Sequence, residues 1–332
     1  MKRREFITVG AVAAIGIGAA VYLPKKLRGA HKGGQGNGGG KAKWRVGFSQ
    51  VTTVEPWRVQ FNKDMRAEAA KHPEIKLVMT DAEDRTEQQV ADVENLIRQE
   101  VDVLLISPKE SAGLTSVVDQ AVDAHIPVIV LDRGVNSTRY TQFIGGDNVV
   151  IGKTVGTFAV TVLGGAGKAR GKVVEIWGGL GAQPAHDRHD GFHAVTNTEP
   201  GIENLLDKQS ADWKQSRAYD IMATALRNHE HIDLVFGHND PMAYGAYLAA
   251  KDAGREKGIT FIGIDALPEE GVRWVANGEL AATVLYATPG AEGIRQALKI
   301  LHGEHVDKQI TLGTMLVTKA NATGILKANG LA

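Results

Sequence analysis

Polar side chains recur in this sequence directly after short apolar runs, and they carry its candidate chemistry. Asp132-Arg133 follows the run at 126–131, Asn239-Asp240 come soon after Leu234-Val235-Phe236, and Asp265 follows Phe261-Ile262-Gly263-Ile264. Ser49-Gln50 and Ser107 close two earlier runs in the same way. Carboxylates accept hydrogen bonds, guanidiniums donate them, and a carboxamide does both. Familiar catalytic and phosphate-binding spacings are missing. Gly152-Lys153-Thr154 has the end of a Walker loop, but the first glycine such a loop needs falls on Asp147, whose carboxylate repels phosphate. No Gly-x-Gly-x-x-Gly follows a strand-like run, and there is no Gly-x-Ser-x-Gly nucleophile elbow. His189 and His193 stand four apart on one predicted helix face, a spacing that can chelate zinc. No third motif completes that site, so the pair reads as a solvated, hydrogen-bonding helix start, and neither metal nor cofactor is expected. Carboxylates are abundant, yet nothing pairs two of them at a defined distance. Binding stands ahead of catalysis.

The elements that must position these residues alternate. Residues 45–49 read as a strand, and 56–71 as a helix with Trp57, Phe61, Met65 and Ala69 four apart. Strand-like 75–79, 101–106 and 126–131 then alternate with helices, one opened by a Thr86/Gln89 capping box and one over 111–124. Further strand-like segments lie at 141–144, 172–176, 202–209, 232–236, 260–264 and 282–285. Helical ones lie at 149–163, 185–197, 215–228, 241–253, 269–276 and 291–301. Such alternation predicts an α/β protein with doubly wound parallel sheets. The strands are too many for one such sheet and divide near Gly145-Gly146-Asp147, so two domains are expected rather than one eight-unit barrel. Ligands of these sheets sit at the strands' carboxyl ends, where the polar residues lie. Two domains with strand ends facing each other would enclose a polar cleft.

Length and charge agree. A chain of 332 residues exceeds one ordinary core, and the absence of Cys excludes disulfides, iron–sulfur clusters and thiolate zinc sites. The 38 basic and 38 acidic residues balance only on average. Residues 1–43 hold nine of the basic groups and one acid, Glu5, which leaves 29 against 37 and a net charge of −8 in residues 44–332. A dedicated nucleic-acid binder would need the opposite excess. Arg3-Arg4-x-Phe6-Ile7 and the uncharged run 7–23 look like a twin-arginine export signal, either cleaved or kept as a membrane anchor. A Gly-rich linker follows at 33–40. A periplasmic location is expected.

Six motifs in order resemble the ribose/galactose type of periplasmic sugar-binding proteins, the ligand receptors of ABC importers. They are Val46-Gly47-Phe48-Ser49-Gln50, Glu55-Pro56-Trp57-Arg58, Leu131-Asp132-Arg133, Asp187-Arg188-x-x-Gly191-Phe192, His238-Asn239-Asp240-x-Met242 and Gly263-Ile264-Asp265. The galactofuranose-binding branch is closest in flavour. The resemblance spans about residues 44–320 and implies a type I periplasmic binding protein: two doubly wound parallel-sheet domains joined by a three-strand hinge. One domain would be 44–146, completed by about 287–313. The other would be 147–286, completed by about 314–332.

By motif, the resemblance makes Trp57, Arg58, Asp132, Arg133, Arg188, Trp213, Asn239, Asp265 and Tyr286 ligand contacts, with Glu55, Gln183 and His186 as possible extras. A sugar fits that set, because its hydroxyls donate and accept while its C–H faces lie on aromatic rings. Other roles stay open residue by residue. Asp132-Arg133 can be a local ion pair, Trp57 and Trp213 core aromatics, and Asn239 a helix cap, although Asp240 is the expected cap. Glu55 and Arg58 depart from the ribose-binding pattern and allow a furanose or acidic ligand. The expectation is a non-enzymatic, monomeric receptor for a monosaccharide-like ligand that serves an ABC importer. The alternative is a ligand-sensing partner of a membrane sensor kinase or chemoreceptor.

Overall fold

The computed structural model describes residues 42–332. The twin-arginine-type segment, its apolar run and the Gly-rich linker lie outside the described residues. The chain opens as β1 (Trp44–Gln50), α1 (Pro56–Ala69), β2 (Ile75–Asp81), α2 (Thr86–Arg98), β3 (Val103–Ile106), α3 (Ser111–Asp123), β4 (Val128–Leu131) and β5 (Gln142–Gly146). It continues as α4 (Asn148–Val162), β6 (Arg170–Trp177), α5 (Gln183–Thr196), β7 (Gly201–Asn204), β8 (Gln209–Ser210), α6 (Gln215–Asn228) and β9 (Leu234–Gly237). Then come α7 (Asp240–Asp252), β10 (Thr260–Asp265), α8 (Arg273–Asn277), β11 (Ala282–Leu285), α9 (Gly290–Leu301), β12 (Gln309–Leu312), β13 (Leu316–Thr318) and α10 (Lys319–Ala328).

Two sheets result, each the centre of an α/β lobe. The first has six parallel strands in the order β12-β5-β4-β3-β1-β2. The second follows β13-β11-β10-β9-β6-β7, with β8 also beside β6 and only β13 antiparallel. Every residue of β3 (Val-Leu-Leu-Ile) and β4 (Val-Ile-Val-Leu) is buried, as strands covered by helices on both faces must be. Register aligns the strand ends. Ser49 lies opposite Ile106 and Ile106 opposite Val130, so Gln50, Ser107 and Asp132 emerge at one edge of the first sheet. The chain passes between the lobes at 146–148, 285–290 and 312–316.

Local expectations fail in three places. Thr86 and Gln89 form no capping box: Arg85 is the cap residue of α2, without a side-chain bond. Gln89 instead reaches across to β3, donating to Ser107 O at 2.9 Å and accepting from Lys109 N at 2.8 Å. The strand expected over 202–209 is two, β7 and β8, each laid against a different part of the long β6. The final β12, β13 and α10 have no counterpart among the elements read from sequence. Their short, half-exposed strands carry little periodicity and are held by partners far away in the chain.

Helix α5, which carries Arg188, rides on α4 through glycine. A Cβ on Gly152 would overlap the Arg188 carbonyl oxygen, and one on Gly191 would overlap that of Val149. Neither obstacle can yield, because both are backbone in paired helices. Gly152→Ala is therefore expected to destabilise the protein by about 1–3 kcal/mol. A urea titration would read this as a lower midpoint with unchanged slope; an unshifted midpoint would contradict the packing described.

Candidate ligand-binding cleft

The carboxyl edges of the two sheets border a cavity of about 950 Å³. All nine residues expected from sequence are on its wall: Trp57, Arg58, Asp132, Arg133 and Tyr286, and from the second lobe Arg188, Trp213, Asn239 and Asp265. Glu55 joins them. Gln183 and His186, the possible extras, do not border the cavity. Both occupy the first turn of α5 and face a different surface recess. Gln183 accepts from Gly134 N at 3.1 Å, and His186 Nε2 meets Leu180 O at 2.7 Å.

The first lobe's wall is built on Asp132, held at φ 65° where β4 ends. Its Oδ2 accepts from Arg58 Nη2 and Ser107 Oγ, both at 3.1 Å, and its Oδ1 accepts from the Tyr286 hydroxyl at 2.8 Å. Arg58 Nη1 also donates to Gln50 Oε1 at 2.9 Å and Ser107 Oγ at 3.0 Å. Glu55 Oε2 lies 3.2 Å from Arg58 Nε, an ion pair whose alignment gives no hydrogen bond. Burial alone would raise the Asp132 carboxyl. The guanidiniums of Arg58 and Arg133 outweigh it and hold the group below the usual range. Burial and then repulsion from Arg58 push Arg133 down to about 10. Burial and the Asp132 charge push the Tyr286 phenol upward, so it stays a donor.

Trp57 and Trp213 are core and wall at once. Trp57 belongs to the apolar core and stacks on Tyr286 at 5.1 Å between centroids, with Nε1 donating to Tyr286 O at 2.7 Å. Trp213, at φ 67°, lies against Gly178, where any Cβ would overlap the indole. The guanidiniums of Arg133 and Arg188 lie over its ring at 5.1 and 5.5 Å. Arg188 also lies 4.6 Å over Tyr286, while its Nε donates to Asn148 Oδ1 at 2.9 Å and its Nη1 to His238 O.

Asn239 combines two roles. Its Oδ1 caps α7 by accepting from Met242 N at 2.9 Å, and its Nδ2 donates to Trp213 O at 3.2 Å. Asp240, the cap expected from sequence, instead accepts from Ala266 N at 2.8 Å. Gly263 and Gly271 make its niche, since a Cβ on either would overlap the carboxylate. Beside it stands Asp265, at φ 133°, buried on the cavity wall. No hydrogen bond to the Asp265 carboxyl forms among the described residues. Burial, then the neighbouring Asp240, push Asp265 well above the carboxylate range. Burial likewise pushes Asp240 up to about 7.

Two further groups escaped the sequence. At the cavity rim, Asp84 accepts from Lys109 Nζ at 2.5 Å and from Lys214 Nζ of the second lobe at 2.8 Å. Nothing in their spacing pairs residues 130 positions apart. The second is a third partner for His189 and His193, expected to have none. Glu175 of β6 lies within 3.0 Å of both rings. A lone glutamate inside an apolar strand was the only signal.

Residues 46–305 match the family described as periplasmic binding protein domain. The chain is 32% identical to the ribose import binding protein of Bacillus subtilis over 285 residues, covering 85% of this chain and 90% of that protein. It is 32% identical to the galactofuranose-binding protein of Escherichia coli over 256 residues, covering 75% and 78%. Among solved structures, the fructose-binding periplasmic domain of a hybrid two-component system aligns with a TM-score of 0.83 at 37% identity, covering 86% of this chain and 94% of that one.

The buried Asp240–Asp265 pair makes stability depend on pH. Between the ordinary carboxyl value of 3.8 and about 7, the native state keeps a proton that the unfolded chain has released. Stability from this pair is thus complete below pH 4 and falls as pH rises through that window. Asp240→Asn keeps an oxygen for Ala266 N and removes one of the two titrating carboxyls. Melting temperatures of parent and variant compared at pH 5 and pH 8 should show the parent losing more. Parallel profiles would mean that the pair does not hold its proton.

Proposed function

The chain belongs to the periplasmic binding protein family, and from that premise we propose that it is an exported receptor for one monosaccharide-like ligand, a sugar, furanose or polyol. The cleft's donors, acceptors and aromatic faces support this reading, and one feature carries it. Asp265 presents a buried carboxyl to the cavity with no hydrogen-bond partner among the described residues, beside the guanidinium of Arg188. Buried polar groups are normally satisfied, so a ligand with several hydroxyls is the natural complement. Arg188 and Arg133 would donate to its oxygens, Asp132 and Asp265 would accept, and Trp57, Trp213 and Tyr286 would border its C–H faces.

Closure is the proposed mechanism. The lobes, residues 44–146 completed by about 287–313 and residues 147–286 completed by about 314–332, would turn on the three crossings. A ligand that touches both lobes favours the closed form by its differential affinity, and an ABC importer would receive that form. The importer role is supported by the ribose import relative. No catalytic step is assigned. Residues 1–43 would direct export through their twin-arginine-type start. A second reading, a sensor that docks its closed form on a membrane kinase, is favoured by the likeness to a periplasmic domain of a hybrid two-component system. Genes for a permease and ATPase beside this one would favour import, and a sensor-kinase gene would favour sensing.

Calorimetry against pentoses, hexoses, furanoses, cyclitols and uronic acids should find one ligand that binds and raises the melting temperature. A panel without a binder would overturn the proposal. Asp265→Asn should weaken that ligand by roughly 30-fold, because the amide nitrogen cannot accept and leaves a ligand hydroxyl unpaired, with the circular dichroism unchanged. Unaltered affinity would remove Asp265 from the site.

A further inference from the structure

Outside the cleft, β6 and α5 bring three metal-ligating side chains together. His189 and His193 share one face of α5, and Glu175 faces them from β6. One ring nitrogen of each histidine and a Glu175 carboxylate oxygen all lie within 4.8 Å of one another. Glu175 Oε2 is 2.9 Å from His189 Nδ1 and 3.0 Å from His193 Nε2. A tetrahedral zinc ion, bonded at about 2.0–2.1 Å, sets its donor atoms about 3.3 Å apart, so small side-chain rotations suffice. We propose that Glu175, His189 and His193 form a binding site for a zinc-class divalent cation.

The hydrogen bonds around the cluster favour a cation at its centre. His238, fully buried, accepts from Gly178 N through Nδ1 at 3.3 Å. Its Nε2 therefore carries the proton and donates to Glu175 Oε1 at 2.8 Å. That bond orients the carboxylate, whose Oε2 lies near both histidines while Oε1 also stands 3.1 Å from His189 Nδ1, as a held metal ligand is oriented by a further hydrogen bond. His193 Nδ1 lies 3.2 Å from Asn197 Oδ1, and in the tautomer that donates there Nε2 offers its lone pair on the Glu175 side. Asn204 Nδ2 lies 3.1 Å from the same Nε2 and can donate to it in that tautomer. His193 Nε2 and Glu175 Oε2 stand 3.0 Å apart, a separation that a shared proton or a bound cation between them can bridge.

Two nitrogens and one oxygen suit zinc better than a hard ion, which takes oxygen ligands. The His189 and His193 side chains are 26% and 17% exposed, which gives the ion a path in and room for a water as fourth ligand. The ion would pin α5 to β6. Arg188 precedes His189 on α5 and bonds the His238 carbonyl, so the pin would also stiffen one wall of the cleft.

The test uses the untagged full chain, stripped with a chelator and titrated with zinc chloride by calorimetry. Binding of one ion per chain is expected, together with a rise in melting temperature. His189→Ala/His193→Ala, at partly exposed helix positions, should lose about 100-fold or more in zinc affinity while keeping the parent's circular dichroism. Cobalt(II) should give the intense visible absorption of a tetrahedral site in the parent, which is read without any variant. Absence of stoichiometric zinc binding, equal affinity in the double variant, or a weak octahedral cobalt spectrum would each overturn the proposal.

Discussion

A buried carboxylate, that of Asp132, is the point on which the rest of the cleft depends. Removing such a group from water is costed at several kcal/mol even after relaxation, so it persists only where donors surround it. Arg58, Ser107 and Tyr286 supply them from three separate parts of the chain. Tyr286 stands where the chain returns to the first lobe after β11, and its carbonyl also accepts from Trp57. One carboxylate thereby fixes α1, the ends of β3 and β4, and the start of a crossing between lobes.

The second lobe is left differently. Its Arg188 is oriented by Asn148 and the His238 carbonyl, and its Asn239 by a helix end and the Trp213 carbonyl. Asp265 has no such partner among the described residues, and its neighbour Asp240 is itself a buried carboxyl. Positive φ at Asp132, Trp213 and Asp265 adds backbone strain of about 1–3 kcal/mol each at that same cavity. The carboxylate of the first wall is satisfied within the protein, and that of Asp265 on the other wall is not, among the described residues. Such an asymmetry gives a ligand something to gain by joining the two.

The wall residues were legible because a parallel α/β sheet exposes only its strand ends, and Asp132, Asn239 and Asp265 are the polar residues found there. The alternation of elements was legible for the same reason: strands covered on both faces read as apolar runs. What was hidden depends on pairings that no local spacing records. Glu175 joins His189 and His193 from another element, Lys214 meets Asp84 across the cleft mouth, and β12 and β13 each complete a sheet begun far earlier. Asp240 and Asn239 exchanged their expected tasks because two glycines, Gly263 and Gly271, open a niche for a carboxylate that helix capping rules do not foresee. Gln183 and His186 border a different recess because of the geometry of a helix start. Residues that follow one another there turn by about 100° each, so nearness to Arg188 in sequence does not bring them to its face.

Charge balance narrows what the proposed cleft can hold. Arg58, Arg133 and Arg188 face Asp132 and Glu55, so with Asp265 protonated this inner set carries one net positive charge. Ionising Asp265 brings it to zero. A neutral ligand whose hydroxyls donate to Asp265 favours that ionisation, because hydrogen bonds to the charged form lower a carboxyl's pKa. The Arg188 guanidinium already pulls in the same direction against burial. An anionic ligand would work the other way: its charge would neutralise the guanidiniums and keep Asp265 protonated as a donor. The same side chain can therefore serve as acceptor for a sugar and as donor for a uronate. Ligand class and the protonation of Asp265 are one variable, set by how many charges the closed lobes must share.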